Sequence, residues 1–98
     1  MKSSTIDGAD STQLMLKLKR PLKNLDGAEI AELHLAEPTA RQWIEATKLM
    51  GPETDLKLIE LVTNLPSSVL EAMSVSDFAR ASRFLSDFAR VSPEIGAN

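Results

Sequence analysis

His34 is the one histidine of the chain, and Glu32 lies two residues before it. An imidazole and a carboxylate could share a proton in general acid–base work, provided a third group and a pocket joined them. A metal would need three or four ligands at workable spacing. Neither set of companions surrounds His34, so the pair reads as the solvent-facing side of a strand. Glu53 and Asp55 suit the first turn of a helix, where carboxylates meet the positive end of its dipole. Ser67 and Ser68 lack a Gly-x-Ser-x-Gly setting and a companion histidine, which favours helix capping over nucleophilic attack. The four glycines are scattered and make no phosphate-cradling loop. With no cysteine there is no disulfide, thiolate ligand or cysteine nucleophile. The expectation is a protein that is not an enzyme, with no catalytic residue, cofactor or metal.

Lys17, Lys19, Arg20 and Lys23 are the remaining chemical cluster, a basic edge. Nucleic-acid binding would call for aromatics nearby to stack on bases, and this region has none. Lysines on a strand edge also discourage strand-to-strand aggregation. Eleven basic against fourteen acidic residues give a net charge of −3 over 98 residues, which disfavours general affinity for nucleic acid or anionic membrane. A small regulatory or adaptor domain, nucleic-acid linked through these four residues, is the alternative reading. No apolar run approaches the ~20 residues of a membrane span. Residues 1–12 carry no hydrophobic segment of a secretory signal. A cytoplasmic address is therefore expected.

The elements that would position these groups follow from periodicity. One domain over residues 13–91 is expected, with polar, flexible tails at 1–12 and 92–98. Leu14, Leu16 and Leu18 alternate with Met15, Lys17 and Lys19, and Ala31, Leu33 and Leu35 alternate with Glu32 and His34. Asn24-Leu-Asp-Gly27 supplies a turn, which predicts an antiparallel hairpin over 14–36. Pro21 should lie at a strand end or on an unpaired edge. Pro38 stops the second strand, and Thr39 with Gln42 forms a capping box for the next helix.

Helices are predicted at about 40–50, 54–64, 67–73 and 75–91. The first aligns Ala40, Trp43, Ile44, Thr47 and Met50 on one side, and Gly51-Pro52 ends it. Leu58, Ile59, Leu61, Val62 and Leu65 give the second an unusually wide apolar arc, to be covered from two directions by neighbours or by another subunit. Asn64 suits a left-handed cap before Leu65-Pro66. Ser74 caps the last helix, which sets Phe78, Ala81, Phe84, Leu85, Phe88 and Val91 opposite Asp77, Arg80, Arg83, Asp87 and Arg90. Ser-Asp-Phe-Ala-Arg occurs at 76–80 and again at 86–90, rotated by roughly a quarter turn, so the copies do not form one repeated site. The fold class is α+β, an N-terminal antiparallel β-hairpin followed by three to four α-helices packed on it. Its apolar surplus marks the expected partner-binding residues: Leu58, Ile59, Val62, Phe84 and Phe88, flanked by Arg83 and Arg90.

The ordered series of these pieces resembles the small tail assembly chaperones of Mu-like and related contractile-tailed phages. The matching residues are Leu16-Lys-Leu-Lys-Arg-Pro21, Asp26-Gly27, Ala31-Glu-Leu-His-Leu-Ala-Glu-Pro-Thr39, Leu58-Ile-Glu-Leu-Val-Thr-Asn-Leu-Pro66, Val69-Leu70 and Asp77-Phe78. Relatives often carry a basic residue where this chain has Ala36, and glycine where it has Asn64. The resemblance implies a non-enzymatic protein of the host cytoplasm that binds the tape-measure protein and keeps it soluble. It also implies absence from the finished virion. A frameshifted longer form occurs in several relatives, and self-association is a further expectation.

Overall fold

The computed structural model describes residues 12–89. Of the tails expected at 1–12 and 92–98, all but Thr12 lies outside the described residues. Two strands, β1 (Gln13–Lys23) and β2 (Glu29–Ala36), form an antiparallel hairpin. Four helices follow: α1 (Ala40–Thr47), α2 (Pro52–Thr63), α3 (Ser67–Leu70) and α4 (Val75–Asp87). The α+β class holds.

The hairpin turn forms where Gly27 takes φ 93°, with its N–H donating to the Asn24 carbonyl at 2.9 Å. Ladder pairs run from Gln13↔Ala36 to Lys17↔Glu32 and resume at Leu22↔Ile30. Between those points β1 spends five residues (17 to 22) where β2 spends two (32 to 30). This bulge holds Leu18, Lys19, Arg20 and Pro21, so Pro21, which has no N–H to give, sits unpaired within a long strand, not at its end. The bulge also disturbs facing: Leu33 and Leu35 are buried, Ile30 is half-buried, and Ala31 is exposed instead of facing the core.

Thr39 caps α1 as a complete capping box, its hydroxyl accepting from the Gln42 N–H while Gln42 Oε1 accepts from the Thr39 N–H. The helix is shorter than its apolar pattern, ending at Thr47 with Lys48 as cap. Gly51-Pro52 opens α2 rather than closing α1. Gly51 is its N-cap at φ 64°, and Pro52 stands in the first turn, where a missing N–H costs nothing. Asn64 ends α2 in the left-handed conformation, φ 63° and ψ 29°. Helix α3 is a single turn, shorter than the 67–73 segment, and Met73 beyond it is still buried. Ser74 caps α4 through the Asp77 N–H.

Helix α2 is central. It touches α1, α3, α4 and β2, so its wide apolar arc is covered by neighbours within the fold. Leu16, Leu18, Leu22, Leu33 and Leu35 from the hairpin meet Leu58, Ile59, Val69, Leu70, Met73, Ala81 and Leu85. Helix α1 packs chiefly on α2. Its buried residue is Ala46, while Ile44, Thr47 and Met50 of the expected buried face are exposed.

Candidate functional site

An apolar groove runs between the start of α1 and the end of α4. Pro38, Ala40, Trp43 and Ile44 form one wall and Phe88 and Ala89 the other, around about 340 Å³. The capping box fixes the turn that sets Pro38 at the mouth. Gln42 Nε2 also donates to the Leu61 carbonyl at 3.2 Å, which ties α1 to α2 and holds Trp43 in place. Phe84 and Phe88 meet edge to face, with ring centroids 5.2 Å apart. Phe84 packs on the core, while Phe88 opens to the groove. Ile44 is 47 % exposed at its edge, and Leu49 and Met50 extend the apolar side of α1.

A second depression lies between the starts of α2 and α4 and the end of α3. Pro52, Leu56, Leu70, Met73, Val75 and Phe78 line it, with Glu53 and Glu71 at the rim. Its volume is about 230 Å³, smaller than the first.

Of the residues expected to bind a partner, Leu58 at 2 % exposure and Ile59 at 0 % are core, so the folded chain offers neither to a partner. The wide arc that singled them out reflects α2's central position. Val62 and Phe84 are half-buried against the core, Phe88 lines the groove, and Arg83 is exposed on α4. Arg90 lies outside the described residues. Trp43 and Ile44 were not among those expected, although the stripe on α1 carried the signal. A short helix whose buried contact is Ala46 has more apolar surface than the fold uses.

The other built feature is ionic. Asp77, expected among solvent-facing charges, is fully buried. Its Oδ2 accepts from the N–H groups of Lys19 at 2.8 Å and Arg20 at 3.2 Å in the β1 bulge. Its Oδ1 pairs with Arg80 Nη2 at 2.6 Å, and that guanidinium also donates to the Lys17 carbonyl at 3.0 Å. Burial alone would push the Asp77 carboxyl up. Hydrogen bonds from Arg80, Arg20 and Lys19, with the Ser74 contact, outweigh it and hold the group below its ordinary value. Such a partnered carboxylate fastens α4 to β1.

His34 is exposed on β2, paired across the ladder with Met15. Lys17, Lys19, Arg20 and Lys23 are exposed as expected. Among the described residues no group of three or more His, Asp or Glu could hold a metal ion. No helix among them is long and apolar enough to cross a membrane. What the arrangement can do is receive an apolar side chain or helix face in the α1–α4 groove.

No curated protein and no solved structure matches the chain. Residues 15–90 match the family model described as phage tail assembly chaperone proteins, E, or 41 or 14.

Proposed function

We propose that this chain, which belongs to the phage tail assembly chaperone family, binds the tape-measure protein through the α1–α4 groove and keeps it soluble during tail assembly. The observation that carries the reading is the groove itself, in which exposed Ile44 stands beside half-buried Trp43 and Phe88. A long helical protein awaiting assembly exposes apolar helix faces, and a groove of this kind accepts such a face through anchors spaced at i, i+3 and i+4. The role involves no catalysis. It belongs to the host cytoplasm, ends before the virion is complete, and is compatible with a frameshifted longer form carrying the same groove.

Co-expression tests it. The tape-measure protein of the same phage should stay soluble and full length with this chain present and precipitate or be degraded without it. Ile44→Asp should lose most of that protection while keeping a native circular dichroism spectrum, because the side chain is already half in water. Equal solubility of the tape-measure protein without the chain would remove the function. Full protection by Ile44→Asp would remove the groove from it.

A further inference from the structure

The two edges of the hairpin are finished differently. Along β1, Arg80 covers the Lys17 carbonyl and Asp77 takes the N–H groups of Lys19 and Arg20. The same edge carries a bulge, a proline and exposed lysines, the devices that keep strands from pairing with strangers. Strand β2 has none of them: Glu29-Ile-Ala-Glu-Leu-His-Leu-Ala36 contains no proline, lysine or arginine. The Glu37 N–H bonds the Thr12 carbonyl, so alternation along the ladder turns the backbone groups of Glu32, His34 and Ala36 outward. Among the described residues none of these three has a backbone partner on that side. Beside this edge lies a depression of about 340 Å³, lined in part by Asn24, Ile30, Thr63 and Leu65.

From this asymmetry we infer that β2 pairs with β2 of a second copy, antiparallel about a twofold axis, to make a continuous four-stranded sheet. The sequence selects the register. Antiparallel partners point to the same face, so the residue numbers of each pair must sum to an even number near the middle of the strand. A sum of 64 sets Glu32 against Glu32, which repels. A sum of 68 sets His34 on His34 and leaves Ala31 without a partner in the strand. A sum of 66 sets Leu33 against Leu33 and Ala31 against Leu35 on one face of the strand, with Glu32 facing His34 on the other. The outward backbone groups of Glu32 and His34 then bond one another, and the imidazole N–H can reach the carboxylate twice per dimer. A twofold interface requires such self-complementarity. The inference stands apart from the tape-measure reading, since it needs no partner protein.

Light scattering on the full chain, over a range of concentration, tests it. The mass should rise to twice the 10.7 kDa of the chain. His34→Glu places carboxylates opposite each other at two symmetric positions and should weaken the dimer about tenfold or more. His34→Lys keeps an attractive pair and should hold the dimer at least as tightly as the native chain. Glu71→Lys, a charge change off the sheet, should leave the mass unaltered. Circular dichroism of each variant should match the native chain, because both side chains are exposed. A monomer at every concentration overturns the inference, as does a dimer indifferent to the charge at position 34. A dimer weakened equally by His34→Lys and His34→Glu overturns the register.

Discussion

Asp77 shows how far one side chain can depart from its sequence neighbourhood. Asp77 and Asp87 stand in identical pentapeptides, yet the first is fully buried and the second exposed. Ten helical residues separate them by roughly 15 Å and a quarter turn. Only the first copy therefore meets the β1 bulge, and no local pattern distinguishes them. His34 and the basic cluster were legible because their strand alternation needs no tertiary partner. Replacing Asp77 with alanine strands two backbone N–H groups and the Arg80 guanidinium, and should cost about 3 kcal/mol in urea denaturation. The acid limb of stability should change as well. A carboxyl held below its ordinary value contributes stability above the unfolded value, and that contribution is lost as pH falls through the folded value. Asp55, raised by desolvation, acts in the opposite sense, because the folded state takes up its proton first and is partly relieved. Urea midpoints followed from neutral pH into acid should therefore fall for the native chain and fall less for Asp77→Ala.

Elements were readable wherever a local rule decides them. The Gly27 turn, the Thr39 capping box, the left-handed Asn64 and the Ser74 cap each depend on a few adjacent residues. Gly51-Pro52 has the pattern of a helix stop and is a start, since the same dipeptide serves either purpose and α1 has already ended at Thr47. Gly51 has φ 64° and ψ −147°, a region almost closed to side chains, although a Cβ there would touch nothing within 4 Å. Gly51→Ala should thus destabilise by about 2 kcal/mol through backbone strain alone, with no packing defect. A thermal melt would register it, and an unchanged melting temperature would contradict the strained geometry. The bulge in β1 was not legible, because a proline inside a strand pattern gives no count of how many residues will loop out.

At the scale of the whole molecule, the hairpin needs covering, and α4 on both strands, α2 on β2 and α3 on β1 share that work. The apolar surplus is visible in the sequence, which points to α2 and α4 and passes over α1. Leu58 and Ile59 are core because α2 is surrounded, and the uncovered surface passes to α1, which leans on α2 rather than on the sheet. That distinction needs the packing order of the helices, which periodicity does not contain. The clasp between β1 and α4 also sets an order of events during synthesis. Lys19 leaves the ribosome fifty-eight residues ahead of the carboxylate that receives its amide. Amide exchange on stalled nascent chains should show Lys19 and Arg20 unprotected until Asp77 has emerged, even where the hairpin turn is already slow to exchange. The first strand to be translated is the last to be finished, and a ribosome that stops short of α4 carries a hairpin still open to its surroundings.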